Sequence, residues 1–170
     1  GAGSAGCAVA GRLSESGKYR VLLLEAGPRD TNPWIHIPLG YTKNYTNPNV
    51  NWMFESEPEP NLNNRKLYQP RGKVLGGTSS INGTVYVRGT AADYNDWRQR
   101  GCEGWDWDNV LPYFKKTENQ ERGASELHGA DGPLHVNDIP HEWPLAKACV
   151  DAAIETGIPY NPDFNGPEQE

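Results

Sequence analysis

The chain opens on Gly1-Ala2-Gly3-Ser4-Ala5-Gly6 and later reaches the apolar run Val21-Leu22-Leu23-Leu24, closed by Glu25. This pattern restricts the fold more than any other feature. Gly1 permits a tight turn out of a strand, Gly3 lets backbone approach a pyrophosphate, and Gly6 lets a helix pack close to a sheet. The helix start at Ser4 and Ala5 then offers free N–H groups and the positive end of the helix dipole to phosphate. Glu25, with Ala26 beside it, falls where a carboxylate accepts hydrogen bonds from adenosine ribose hydroxyls. Its charge disfavours a 2′-phosphate, and so NADP. The spacing predicts a helix from Gly3 to about Ser16, stopped at Gly17, and a buried parallel strand over Tyr19–Glu25, apolar without alternation. Nothing precedes Gly1 to form the first strand. The expectation is a piece of a larger enzyme.

Beyond the strand the pattern changes. Pro33, Pro38, Pro48, Pro58 and Pro60 break any long element between residues 29 and 70. Trp34, Trp52, Phe54 and Tyr68 give that excursion something to bury, so short strands and a packed loop are expected rather than disorder. Glu55, Glu57 and Glu59 read as a solvated strand face. Helices follow over Ala91–Arg100 and from Asn109 to about Thr117. The second is capped by Asp106 or Asp108, with Leu111 and Phe114 on its inner face. Glu121–Asp131 reads as polar and exposed, and Pro133–Val136 as a short strand. Pro144 opens a helix through Thr156 with an apolar stripe of Leu145, Cys149, Ala152 and Ala153, and Gly157 stops it.

A second motif spans residues 71–83: Arg71-Gly72-Lys73-Val74-Leu75-Gly76-Gly77-Thr78-Ser79-Ser80-Ile81-Asn82-Gly83. Gly76 and Gly77 allow close backbone contact with a flat or charged ligand. Thr78, Ser79 and Ser80 supply hydroxyls and adjacent N–H donors for a pyrophosphate. Asn82 and Gly83, followed by Thr84 and Val85, would bring amide dipoles to a ring edge.

On these residues the chain resembles the glucose–methanol–choline (GMC) oxidoreductases. The resemblance rests on Arg71-Gly72-Lys73, the Gly76–Ser80 cluster, Asn82-Gly83 and Tyr86 to Gly89. The first motif has the form GAGSAGC…LLLEAG. Asp93-Tyr94-xx-Trp97 and His128-Gly129-xx-Gly132-Pro133-Leu134 are similar to segments of bacterial choline-dehydrogenase-like members. The resemblance implies an α/β fold: an FAD-binding Rossmann-like domain lacking its first strand over residues 1–132, and the start of an α+β substrate domain over 133–170. It implies FAD held along Gly1, Gly3, Ser4, Ala5, Gly6, Glu25, Ala26, Trp52, Arg71, Gly72, Leu75, Gly76, Gly77, Thr78, Ser79, Asn82, Gly83, Thr84 and Val85. Members with covalent flavin carry histidine where this chain has Ile81, so non-covalent FAD is expected. The implied reaction is alcohol oxidation by hydride transfer to flavin N5. The family's catalytic histidine lies beyond Glu170, so no catalytic residue is expected here and the fragment alone should be inactive. The alternative is a hydroxynitrile-lyase-like member with non-redox FAD. The substrate is then a small alcohol, and the electron acceptor is oxygen or a respiratory carrier. A cytoplasmic or membrane-peripheral location is expected, with secretion left open.

Other residues are weaker candidates. The net charge of −6, without a Lys/Arg run, argues against nucleic acid as a partner. Cys7, Cys102 and Cys149 are odd in number and lack a CxxC, so they read as buried small hydrophobes and not as a disulfide framework or metal site. His36, His128, His135 and His141 form no nucleophile or metal arrangement, and each reads as structural or surface. The sequons at Asn44 and Asn82 read as accidental. Trp52 is either a cofactor-packing residue or a core aromatic.

Overall fold

The computed structural model describes residues 1–169. They divide into two compact units, one spanning Gly1–Val85 and one from Tyr86 onward.

The first unit begins with α1 (Ser4–Glu15). Its alanines and Leu13 favour helix, and Gly17 ends it at φ +67°, a left-handed conformation that glycine adopts without a side-chain clash. The expected strand over Tyr19–Glu25 does not form. The segment runs without regular structure, and Leu22 and Leu24 are 82% and 71% exposed. A strand exists only through hydrogen bonds to a neighbour, and no described residue pairs with this one. The proline-rich excursion folds into short pieces: α2 (Pro33–His36), α3 (Tyr41–Asn44), and the antiparallel pair β1 (Phe54–Glu55) and β2 (Tyr68–Gln69). The short strands match the expectation, but the helical turns were not expected, and Trp34, Trp52, Phe54 and Tyr68, expected to be buried, are 41–51% exposed. Asn32 caps α2, its Oδ1 accepting from Trp34 N–H at 3.0 Å, with Pro33 in the first turn. The unit closes over a small apolar centre of Val50, Val74 and Ile81, against which Ile35 packs.

The second unit is organised differently. α4 (Ala91–Gln99) starts with a reciprocal capping box between Thr90 and Asp93. Asp106 caps α5 (Trp107–Thr117). Tyr94 joins the two helices through its ring contacts with Trp97, Trp107 and Phe114 at 5.3–5.7 Å. The strands β3 (Glu118–Gln120) and β4 (Leu134–Val136) pair in parallel, and Pro144 opens α6 (Pro144–Glu155). Three expectations fail here. The apolar stripe of α6 is unburied, Leu145 being 77% exposed, because no described element packs on it. Cys102 and Cys149, like Cys7 in the first unit, are exposed rather than buried. Within the polar stretch 121–131, His128 and Gly129 are buried. The unit's buried side chains are polar or charged: Arg88, Glu118, Gln120, His128 and Asn165. Arg88 Nη2 meets Glu118 Oε2 at 2.6 Å with both side chains essentially inaccessible. Breaking such a buried pair costs about 3–5 kcal/mol.

Among the described residues no helix is long and apolar enough to cross a membrane, and no group of three or more His, Cys, Asp or Glu side chains is placed to hold a metal ion.

The Asp106 cap gives a direct test of the second unit. Asp106 Oδ1 accepts from Asn109 N–H and from Asn109 Nδ2. Asp106→Ala is expected to lower stability by about 1 kcal/mol, read as a shift in the urea midpoint with an unchanged denaturant slope.

Candidate functional site

The two glycine motifs meet in the first unit. Gly76 N–H donates to Ala2 O at 2.8 Å. Gly77 sits at φ +58°, and a Cβ placed on it would stand 2.8 Å from Gly3 Cα. Only glycine allows this approach of two backbones. Gly6 is required for a second reason, since an added methyl group would overlap Gly1 O.

Around this junction lies a cleft of about 580 Å³ lined by Gly1, Gly3, Leu24, Glu25, Ala26, Trp52, Arg71, Gly72, Gly77 and Thr78. Nine of these ten are among the residues expected from the sequence. Leu24 is the addition: it belongs to the segment expected to be a buried strand, and the alternation-free pattern there gave no reason to face it toward a ligand. Two other cavities, near 780 and 660 Å³, lie in the second unit and contain none of the residues expected to hold the cofactor.

The cleft has two chemical ends. At one, the N-cap residue Gly3 carries no capping side chain and no acid occupies the first turn of α1. The first intrahelical bond there is Cys7 N–H to Gly3 O at 2.9 Å. The N–H groups of Ser4, Ala5 and Gly6 therefore have no carbonyl within the helix to bond, a donor set chemically suited to an anion. Arg71 adds positive charge. At the other end, Glu25 Oε2 accepts from Ala2 N–H at 2.7 Å, and Oε1 from Gly27 N–H at 2.9 Å. These bonds, Gly27 first and then Ala2, hold the Glu25 carboxyl below the ordinary carboxylate range. Each oxygen keeps a further lone pair, able to accept from a sugar hydroxyl.

The second motif presents its hydroxyls differently from the expectation. Ser79 Oγ donates to Gly76 O and Ser80 Oγ to Leu75 O, both at 2.7 Å. Each proton is spent on a carbonyl just ahead of the short 3₁₀ turn, Gly77–Ser80, that carries the serine. Thr78 Oγ1 instead accepts from Gly72 N–H at 3.1 Å, so its proton is free to donate, and Thr78 lines the cleft. Ser4, Ala5, Gly6, Leu75, Gly76, Ser79, Asn82, Gly83, Thr84 and Val85 do not line it. Asn82 Oδ1 accepts from Thr84 N–H at 3.1 Å, and Thr84 sits at φ +57°. This fixes an exposed turn past the core residue Ile81, which is 1% exposed.

Trp52 is not a core residue. It is 42% exposed, stacks on Phe54 with ring centroids 5.7 Å apart, and has Lys73 Nζ 4.7 Å from its ring centroid. Asn51 holds this corner in place and was not foreseen. Its buried side chain accepts from Arg71 N–H at 2.9 Å and Met53 N–H at 3.0 Å, and donates to Tyr45 O and Tyr68 Oη. A lone asparagine in an irregular segment carries no periodic signal. Asn44 is wholly buried, as an accidental sequon would be.

The residues fit an adenine dinucleotide. Unpaired backbone donors and the Arg71 guanidinium have the chemistry phosphates need, the Glu25 carboxylate that of a ribose acceptor, and the glycine junction is a cradle that side chains would fill.

The GMC oxidoreductase family matches over residues 1–170. The chain is 51% identical over 171 residues to an alcohol dehydrogenase [acceptor] of Pseudomonas putida, covering all of this chain and 31% of that protein. It is 49% identical over 170 residues to an oxygen-dependent choline dehydrogenase of Rhizobium etli (strain CIAT 652), with the same coverage. The chain thus spans about a third of the length of the curated relatives it matches. Among solved structures, pyridoxine 4-oxidase from Mesorbium loti superposes with a TM-score of 0.84 at 34% identity, covering 91% of this chain and 31% of the other.

The depressed Glu25 carboxyl predicts a pH dependence. A group whose pKa is lowered by folding contributes stability that is present above its unfolded value, here 4.5, and lost as pH falls through the lower folded value. Thermal melts at falling pH should show this loss in the native protein. Glu25→Gln should be less stable at neutral pH, and the gap between the two should narrow as the solution is acidified below 4.5.

Proposed function

The chain belongs to the GMC oxidoreductase family, and from that premise we propose that it is the FAD-holding part of an enzyme that oxidises an alcohol CH–OH group. GMC oxidoreductases bind FAD, and the α/β fold is that of structurally characterised members. The observation that carries the proposal is the cleft where the two glycine motifs join, with helix N–H groups at one end and Glu25 at the other.

In this reading Ser4, Ala5 and Gly6 N–H and Thr78 Oγ1 donate to the pyrophosphate, and Gly1, Gly3, Gly76 and Gly77 keep the backbone clear of it. Glu25, with Ala26 beside it, holds the ribose. Trp52, Arg71 and Gly72 form the wall. Leu75, Ser79 and residues 82–85 are assigned to the flavin side. Bound flavin supplies a hydride acceptor at N5 for the hydrogen on the alcohol carbon. This chain's contribution is to bind and orient, and none of its residues is assigned as the base that takes the hydroxyl proton. Residues 1–132 are assigned to the FAD-binding part and 133–170 to the start of a substrate-binding part. That division is functional and distinct from the packing division at Val85.

The attachment is proposed to be non-covalent, because Ile81 is aliphatic and enclosed with Val50 and Val74. The alcohol and choline dehydrogenases among the relatives support a small alcohol as substrate, and oxygen or a respiratory carrier as electron acceptor. The proposed location is cytoplasmic or membrane-peripheral. The relatives named above are dehydrogenases and an oxidase, which favours redox use of the flavin over a lyase.

One preparation tests both parts. Acid precipitation of the purified yellow protein should leave all flavin in the supernatant, and flavin retained in the pellet would refute the non-covalent assignment. Anaerobic addition of primary alcohols, with choline among them, should bleach the oxidised flavin bands of the intact protein, in which the base is supplied from outside this chain. Flavin that stays oxidised with every alcohol would move the reading to non-redox chemistry.

A further inference from the structure

Asn51 does not line the cleft, yet it sits beside the backbone from which two of the cleft's side chains rise. The isolated bridge between Asn51 and Gly72 continues the register of β1 and β2, in which Phe54 faces Gln69 and Glu55 faces Tyr68. In that register Trp52 stands opposite Arg71, and Met53 opposite Pro70. Directly opposed residues of an antiparallel pair share one face, and their neighbours along the chain take the other. Trp52 and Arg71 both reach the cleft. Asn51, on the other face, is 2% exposed.

The ladder is broken at this point. Two of its main-chain bonds are made, Trp52 N–H to Arg71 O and Lys73 N–H to Val50 O, both at 2.8 Å. A hydrogen-bonded antiparallel pair exchanges two such bonds. Here the return bond is replaced, because Arg71 N–H donates to Asn51 Oδ1 at 2.9 Å. Pro70 has no N–H to give. Met53 sits at φ +55°, a left-handed backbone that residues other than glycine seldom adopt. Asn51 Oδ1 also accepts from Met53 N–H at 3.0 Å, a local turn that supports such a bend. One side-chain oxygen thus stands in for a main-chain carbonyl where the ladder fails.

The other half of the amide is anchored. Nδ2 donates to Tyr45 O at 2.8 Å and to Tyr68 Oη at 2.9 Å, and the Tyr68 hydroxyl in turn donates to Tyr45 O. A carboxamide offers two acceptor sites and two donors, and all four are used. Its orientation is fixed by its partners, since a backbone N–H only donates and a carbonyl only accepts. An aspartate would set a carboxylate oxygen against Tyr45 O. With every position used, Asn51 has none left for a ligand and can act on one only through its partners.

We infer that Asn51 is a positioning residue for the dinucleotide: it fixes the backbone of Arg71 opposite Trp52 and so aims the Arg71 guanidinium at the phosphates. The inference rests on the flavin reading of the cleft. It gives Asn51 a share of the cofactor's affinity without contact with the cofactor.

The test is FAD titration of the intact, flavin-stripped protein by calorimetry, in a double-mutant cycle of Asn51→Ala and Arg71→Gln. Asn51→Ala should bind FAD at least about fivefold more weakly. Beside Arg71→Gln the same substitution should cost less than about twofold, because the group it positions is gone. Salt gives a second readout. Attraction between a guanidinium and a phosphate is screened by ions, so raising ionic strength should weaken binding less in Asn51→Ala, as in Arg71→Gln, than in the unsubstituted protein. Tyr68→Phe serves where Asn51→Ala fails to fold: it removes one anchor of the amide and keeps the asparagine. Its weaker binding, at least about twofold, should likewise vanish beside Arg71→Gln. Unchanged FAD affinity in Asn51→Ala, or a loss that persists undiminished beside Arg71→Gln, would overturn the inference, the second by giving Asn51 a role in the fold alone. Failure of the flavin reading is distinct: an unsubstituted protein that takes up no FAD would overturn both.

Discussion

The approach of Gly77 to Gly3 organises everything else in the first unit. Two loops far apart in sequence can lie backbone against backbone only where neither carries a side chain. The Gly76 N–H to Ala2 O bond then fixes their register. From this junction follow the exposed N–H groups of α1, the position of Thr78, and the seating of Val74 and Ile81 in the small core beneath. Glu25 completes it by holding Ala2 N–H on one oxygen and Gly27 N–H on the other. The same carboxylate that suits a ribose therefore also ties the first glycine turn to the end of the following segment.

The two units bury different matter. The first closes over Val50, Val74 and Ile81, with the hydrogen-bonded amides of Asn44 and Asn51 buried beside them, the second over Arg88, Glu118 and His128. Apolar burial is non-directional and tolerant of small shifts. A buried charge cluster is demanding, since each member must keep its partner. The first unit can therefore leave its functional surface to backbone geometry. The second depends on a few side-chain contacts whose loss would be felt throughout.

Legibility in the sequence followed the physics of each feature. Helices with local signals were readable: Gly17 and Gly157 as stops, Asp106 as one of two candidate caps, Pro144 as first-turn residue. Most of the cleft was readable too, because glycine spacing states where backbone must come close. The failures involve partners. Val21–Leu24 has a strand's composition, yet a strand needs a neighbour to bond. Cys149 and the α6 stripe have the composition of an interior, but no described element packs on them. Ser79 and Ser80 bear the hydroxyls a phosphate would accept from, yet their protons are turned onto the loop's own carbonyls. Asn51 and the Arg88–Glu118–His128–Asp163 cluster were invisible because each draws together residues from separate segments, and no period or spacing encodes that.

The central claim is that close backbone approach at the glycine junction creates the dinucleotide site. Titration of flavin-stripped protein with FAD, comparing Gly77→Ala with Gly11→Ala, tests it most directly. Gly11 lies within α1 with nothing within 4 Å of an added Cβ, so its substitution controls for helix effects. The account predicts native-like far-UV circular dichroism in both variants, unchanged affinity in Gly11→Ala, and affinity at least about tenfold weaker in Gly77→Ala. A folded Gly77→Ala protein that binds FAD as tightly as the unsubstituted protein would contradict it.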